Sequence, residues 1–175
     1  IRDRLIRMFP MKLIVQKFGG TSVADTSSLK IVAERIIDRK KEGYELVVVP
    51  SAMGSSTDEL IDLANELSEK PTPREMDMLL SAGERITMSL LSMHLNSLGH
   101  SSFSLTGSQA GIITTSRHGK AEIEEISGGR VREGIERGDI VIVAGFQGFN
   151  RDTREITTLG RGGSDATAVA LAAAL

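Results

Sequence analysis

The sequence predicts an α/β fold in which helices cover both faces of a mostly parallel sheet. Two runs, ELVVVPS at residues 45–51 and DIVIVAGF at residues 139–146, are continuously apolar, which is typical of strands buried on both faces. Around them, apolar residues recur every three or four positions, the spacing of an amphipathic helix. Strands that alternate with helices in this way favour a parallel sheet in a single domain.

The first half of the chain predicts two strands and three helices. KLIVQKF at Lys12–Phe18 is the first strand, and Asp25 or Thr26 caps a helix that Gly43 ends. Residues 45–51 are the second strand, residues 57–67 the second helix and residues 74–98 a long third helix. Its predicted apolar stripe consists of Met76, Leu79, Leu80, Gly83, Ile86, Leu90, Leu91, His94 and Leu98.

The second half predicts further strands at residues 102–106, 121–126 and 139–146, with a short helix at residues 129–138. A polar loop then runs to Gly163, and Ser164 is a suitable N-cap for an apolar terminal helix. Residues 1–10 show neither the pattern of a strand nor that of a helix. We expect them to be an expression remnant or an upstream extension, with a native pairing arm as the alternative.

Composition excludes several classes of function. The 175-residue chain has a formal net charge of −2, so it shows no bulk attraction to nucleic acid or to an anionic membrane. It contains no cysteine, which excludes disulfides and thiolate metal sites. No histidine pair has metal-ligand spacing, and His94 is expected in the core.

Three loops that follow strands carry residues suited to anions. QKFGGTSV at residues 16–23 places Lys17 before two glycines, which favours either a phosphate site or a tight turn. Residues 47–60 run from a strand into small hydroxyl side chains at a helix start, which favours either an anion site or helix capping by Thr57.

The third loop, TTLGRGGSDA, combines both charges. Arg161 offers a fork for a carboxylate, and Asp165 at the helix start would accept an ammonium, a pairing that suits a zwitterionic amino acid. The alternative is that Asp165 only neutralises Arg161 or the helix dipole. Glu84 lies at the edge of the long helix's apolar stripe, where a carboxylate needs a partner, whereas Arg85 is expected to be solvated.

Six segments in register resemble the catalytic domain of the aspartate kinase family, from about residue 11 to residue 175. They are VQKFGGTSV, SAMGSSTDEL, REMDMLLSAGERI, GSQAGI, VAGFQG and TTLGRGGSDATAVALAAAL. The resemblance implies the amino-acid-kinase fold, a three-layer αβα sandwich. It also implies a cytoplasmic enzyme that phosphorylates the β-carboxylate of L-aspartate with ATP and Mg²⁺, the first step towards lysine, threonine and methionine.

The resemblance also implies roles for individual residues. Lys17 and Asp165 would be catalytic, and Lys17, Phe18, Gly19 and Gly20 would bind the nucleotide phosphates. Aspartate would be bound by Thr21, Ser22, Ser51, Thr57, Glu84, Arg161, Gly162, Gly163, Ser164 and Asp165. No protein ligand to a metal is implied, since Mg²⁺ arrives with ATP.

In that family the kinase domain continues beyond this point and regulatory domains follow, and full-length members form homo- or hetero-oligomers. The terminal helix here has no stop signal. We therefore expect a C-terminally truncated domain that is inactive as an isolated chain. Two alternatives are a kinase for glutamate, acetylglutamate or a nucleotide, and a non-catalytic aspartate-binding or subunit-assembly module.

Overall fold

The structure is a computed structural model, and it describes residues 12–175. The interpretation of residues 1–10 therefore lies outside the described residues. The helices are α1 Thr26–Lys41, α2 Ser56–Leu67, α3 Pro73–Ser97, α4 Gly129–Arg137 and α5 Gly163–Ala174. The strands are β1 Lys12–Phe18, β2 Tyr44–Pro50, β3 Ser102–Leu105, β4 Ile112–Thr114, β5 Ile123–Ile126, β6 Ile140–Val143, β7 Gln147–Phe149 and β8 Ile156–Thr158.

Four parallel strands form the central sheet in the order β1-β2-β6-β3. Side chains of β2 alternate between its two faces: Leu46 and Val48 join a core with α1 and α3, whereas Val47 and Val49 join a core with α4 and α5. Helices on both faces of one parallel sheet confirm the predicted three-layer α/β fold.

Local signals explain where α1 begins and ends. The side chain of Asp25 accepts a hydrogen bond from Ser28 N at 2.7 Å, so Asp25 is the N-cap. Gly43 has a φ of +90° just past the helix, a conformation that glycine adopts without steric cost. Both boundaries agree with the prediction.

A second sheet was not expected. Its strand order is β5-β4-β7-β8, with only β4 and β7 parallel. The predicted polar loop before Gly163 is wrong because it contains the β7–β8 hairpin, and the predicted strand at residues 121–126 lies antiparallel in this sheet as β5. Buried polar groups conceal these strands, since Thr114 Oγ1 lies 2.5 Å from Thr157 Oγ1.

The predicted apolar stripe of α3 is also wrong in part. Ile86 is 55% exposed and His94 is only half-buried, outside the core. The first part of the buried face instead carries small and polar residues, and the apolar residues Met88, Leu91 and Leu95 lie further along it. The small and polar residues are Asp77, Ser81, Gly83, Glu84, Thr87 and Ser92. Arg85, expected to be solvated, is half-buried and donates from Nε to Gln147 Oε1 at 3.2 Å. Hydrogen bonds to neighbouring elements compensate these buried polar side chains for the loss of water.

Within residues 12–175, no helix is both long and apolar enough to cross a membrane. The same residues contain no group of three or more histidine, aspartate or glutamate side chains placed to hold a metal ion.

Candidate active site

A cleft of about 320 Å³ opens where β1 and β2 end, at the carboxyl edge of the central sheet. It collects residues from five separate segments of the chain. They are Lys17, Gly20, Ser51, Ala52, Gly54, Thr57, Glu84, Phe146, Gly160, Arg161, Gly162, Gly163, Ser164 and Asp165. Of the residues proposed from the sequence, Phe18, Gly19, Thr21 and Ser22 do not line it. Phe18 packs in the core, and Thr21 and Ser22 are exposed.

Lys17 connects the first strand to the last helix. Its Nζ lies 2.9 Å from Asp165 Oδ1, and the two side chains are 29% and 68% exposed. Asp165 therefore has Lys17 as its partner. The alternative that Asp165 only neutralises Arg161 or the helix dipole is therefore not sufficient. The position of Asp165 in the first turn of α5 nevertheless favours a negative charge there.

The loops after β1 and β2 are held together by backbone contacts. Ser51 N donates to Phe18 O at 2.9 Å, and Gly54 N donates to Gly20 O at 3.2 Å. A side chain at Gly20 would bring its Cβ within 3.2 Å of Ala52 O and 3.3 Å of Gly54 O. Gly20 therefore allows the loops after β1 and β2 to pack closely against each other at the edge of the cleft.

Glu84 is buried beside these loops because α3 approaches them closely. A Cβ on Gly83 would lie 2.8 Å from the Cβ of Ala52. This close contact allows Ala52 N to donate to Glu84 Oε1 at 3.2 Å. Among the described residues Glu84 Oε2 is buried without a hydrogen-bond partner.

The environment of Glu84 changes its protonation. Burial raises the pKa of this carboxyl to about 7, and the hydrogen bond from Ala52 N offsets only part of that effect. A buried, half-satisfied carboxylate that lines a cleft is typical of a binding or catalytic group. In its ionised form Glu84 lacks a hydrogen-bond donor at Oε2, and a cationic donor would also compensate the carboxylate charge.

The loop that carries Arg161 is built from glycines. Gly160 and Gly162 have φ values of +77° and +78°, and Gly162 is the N-cap of α5. The prediction that Ser164 caps the helix is wrong, because Ser164 lies inside the first turn, packed closely on Gly145. Arg161 is exposed and forms no hydrogen bond or ion pair with any described residue.

Thr57 lines the cleft from the first turn of α2, which begins at Ser56. Capping by Thr57, the alternative left open by the sequence, is therefore wrong. Sequence reasoning missed Phe146, which lines the cleft with a φ of +69°. A non-glycine residue in this conformation is strained and is often found at functional sites. No pattern in the sequence indicates this role, because Phe146 is indistinguishable there from the last apolar residue of the run that forms β6.

The cleft therefore holds two cations, Lys17 and Arg161, and two carboxylates, Glu84 and Asp165. One cation and one carboxylate, Lys17 and Asp165, neutralise each other. Arg161 and Glu84 Oε2 keep unused hydrogen-bonding capacity towards the described residues. This remaining pair complements a ligand that carries both a carboxylate and an ammonium.

The fold and this site define the class of protein. The profile of the amino acid kinase family matches residues 12–175, and the chain belongs to that family. Among curated relatives, the aspartokinase of Mycolicibacterium smegmatis is 58% identical over 165 residues, which cover 94% of this chain and 39% of that protein. Aspartokinase 2 of Bacillus subtilis is 58% identical over 165 residues, covering 94% of this chain and 40% of that protein.

Solved structures agree with these relatives. An aspartate kinase from Synechocystis has a TM-score of 0.77 and 48% identity, covering 93% of this chain and 26% of that chain. E. coli aspartokinase III, solved in complex with aspartate and ADP, has a TM-score of 0.81 and 25% identity, covering 93% of this chain and 46% of that chain. This chain spans about two-fifths of the length of the curated relatives described.

Proposed function

We propose that this chain supplies the aspartate-binding and phosphate-facing part of an aspartate kinase, which transfers the γ-phosphoryl group of MgATP to the β-carboxylate of L-aspartate. The observation that carries the proposal is the free pair in the cleft, Arg161 and Glu84 Oε2, beside the ammonium of Lys17. The similarity to aspartokinases at 58% identity supports it. The reaction would be the first step towards lysine, threonine and methionine.

Each free group suits one part of the amino acid. Arg161 would hold the α-carboxylate in a bidentate pair. Glu84 Oε2 is the better candidate for the α-ammonium than Asp165, because Asp165 is already paired with Lys17. Ser51 and Thr57 line the cleft and would orient the side chain of the substrate.

The chemistry then requires mainly positioning of the two substrates and neutralisation of charge. The β-carboxylate is the nucleophile, and with a pKa of ~3.9 it is ionised at neutral pH, so no general base is needed. Phosphoryl transfer depends mainly on positioning and on stabilising negative charge. Lys17 would supply a positive charge at the transferred group, with Asp165 holding its ammonium in place.

The two glycines after β1 would leave room for a phosphate group beside Lys17. Gly20 lines the cleft, and its lack of a side chain allows the loop after β2 to pack against it. Gly19 adds to this space, since its Cβ would lie 3.4 Å from Lys17 Nζ. ATP would supply the phosphoryl group at this end of the cleft, and Mg²⁺ would arrive with it.

A hybrid kinase tests the proposal. Residues 12–175 replace the matching segment of the M. smegmatis aspartokinase. In the presence of MgATP, acyl phosphate is trapped with hydroxylamine, and ADP release reports phosphorylation of any acceptor. We expect product with L-aspartate and none above background with L-glutamate, N-acetyl-L-glutamate or UMP. A hybrid that binds aspartate and MgATP without turnover would support the non-catalytic binding module instead. Turnover of another acceptor in preference to aspartate would contradict the proposal.

A further inference from the structure

A second buried carboxylate, Asp77, lies on α3 two turns before Glu84 and does not line the cleft. Its side chain is fully buried. Burying a carboxylate is costly unless hydrogen bonds compensate for the lost water. The proposed chemistry makes no use of this residue, so its place in the fold needs another reason.

Asp77 gathers donors from two other segments. Thr158 Oγ1 at the end of β8 donates to Asp77 Oδ1 at 2.5 Å. Gly119 N donates to the same oxygen at 3.0 Å, and His118 Nδ1 lies 2.6 Å from Asp77 Oδ2. One carboxylate on α3 therefore joins the end of β8 to the turn at residues 117–120.

These two segments also contact each other where the Arg161 loop begins. Ala121 N donates to Thr158 O at 2.9 Å. A side chain at Gly160 would bring its Cβ to 3.0 Å from Gly119 O, so the two backbones are closely packed. The first residues of the loop thus rest against the turn that Asp77 holds.

Arg161 depends on this anchor because the loop itself gives it little support. It follows Thr158 by three residues and lies between Gly160 and Gly162, both in the left-handed region. It has no hydrogen bond or ion pair with a described residue. A bidentate pair is sensitive to small displacements of the guanidinium.

We propose that Asp77 is a positioning residue for substrate binding: through Thr158 and Gly119 it fixes the start of the glycine loop and so the place of Arg161. Asp77 does not touch the substrate. This inference rests on the proposed function, because it takes the α-carboxylate of aspartate as the ligand of Arg161.

The test is titration calorimetry of the 175-residue chain with L-aspartate, using variants of β8. Thr158→Val removes the donor to Asp77 and keeps the shape of the side chain, and we expect about tenfold weaker aspartate binding. Thr158→Ser keeps the hydroxyl and should restore the affinity. Thr157→Val is the matched control, because it breaks a buried hydrogen bond of the same strand, between Thr157 and Thr114, and Thr157 is not among the hydrogen-bond partners of Asp77. We expect it to lower the melting temperature without weakening aspartate binding.

Two further variants show whether the effect passes through Arg161. In an Arg161→Ala background, Thr158→Val should weaken binding no further, and Asp77→Asn should behave as Thr158→Val does. If Asp77→Asn does not fold, the Thr158 variants decide alone. Unchanged aspartate affinity in Thr158→Val, or equal loss in Thr157→Val, would overturn this inference and leave the proposed function standing. No aspartate binding by the unaltered chain, or full binding by Arg161→Ala, would overturn the proposed function and this inference with it.

Discussion

At the scale of single residues, the cleft separates its charges into one satisfied pair and one unsatisfied pair. Lys17 and Asp165 are 2.9 Å apart, although they lie at opposite ends of the sequence. Sequence reasoning predicted both as site residues but not their pairing, because no local pattern shows which residues a parallel sheet brings to one edge. Burial of Glu84 was likewise not predictable, since it depends on the contact between Gly83 and Ala52.

Lys17 is expected to act mainly on the transition state. In the hybrid kinase, Lys17→Met should lower kcat by ~10²–10³, because one electrostatic contact at the transferred group is lost. The KM for aspartate should change little, since Arg161 and Glu84 remain. Steady-state kinetics with aspartate and MgATP varied in turn separates these effects. A near-normal kcat would contradict a role for Lys17 in stabilising the transition state.

Glu84 should make aspartate binding depend on pH. Its pKa of about 7 in the ligand-free chain means that the carboxyl is mostly protonated at pH 6 and mostly ionised at pH 8. An ammonium binds the ionised form, so affinity should rise by up to about tenfold per pH unit below pH 7. Calorimetry from pH 6 to pH 8 measures this. Glu84→Gln should bind more weakly at pH 8 and show a flat profile, and a parallel rise in that variant would assign the dependence to another group.

The same pKa shift predicts how stability changes. The folded chain holds the proton up to about pH 7, whereas the unfolded chain releases it near the ordinary value of 4.5. The free energy of unfolding therefore falls as pH rises between these values, by at most about 3–4 kcal/mol. Relative to the unaltered chain, Glu84→Gln should be more stable at pH 8 than at pH 5. Chemical denaturation at both pH values provides the comparison, and a constant difference would contradict the burial of an ionising Glu84.

At the scale of elements, long apolar segments were predictable and short polar ones were not. The strands β2 and β6 are continuous apolar runs, and α1 has both its cap and its stop in the sequence. The strands β4, β7 and β8 have three residues each, too few for a periodic signal. The polar side chains of β7 and β8 are buried and hydrogen-bonded to Thr114 or to α3, so hydropathy alone describes these two strands as a loop.

The close packing of α3 against the loop after β2 is expected to position Glu84 in the aspartate site. Gly83→Ala would place a Cβ 2.8 Å from the Cβ of Ala52 and push the helix away. Overpacking of this kind costs about 1–3 kcal/mol of stability. Aspartate binding should weaken as well, because Glu84 would lose its contact with Ala52 N. Thermal unfolding and calorimetry measure the two effects.

A second substitution provides the control for this contact. Ala52→Gly in the Gly83→Ala background removes one of the two methyl groups that collide, and it should recover both stability and aspartate affinity. Failure of the double variant to recover, or a Gly83→Ala variant with normal affinity, would show that this contact does not position Glu84.

At the scale of the whole molecule, the site depends on the complete arrangement of layers. Its residues come from β1 and the loop after it, the loop after β2, α2, α3, the loop after β6, the loop after β8 and the start of α5. These segments meet because the carboxyl ends of parallel strands lie at one edge of the sheet. The prediction of the parallel sheet was therefore enough to bring Lys17 and Thr57 together. The loop of Arg161 instead follows β8 of the second sheet, which was not foreseen.

Titration calorimetry of the 175-residue chain with L-aspartate and with N-acetyl-L-aspartate tests the central claim most directly. The two ligands share both carboxylates, but acetylation removes the ammonium that Glu84 Oε2 would bind. We expect aspartate to bind at one site and N-acetyl-L-aspartate to bind at least about tenfold more weakly, since a buried carboxylate loses its partner. Equal affinity for both ligands, or no binding of aspartate, would contradict a cleft built for an amino-acid zwitterion.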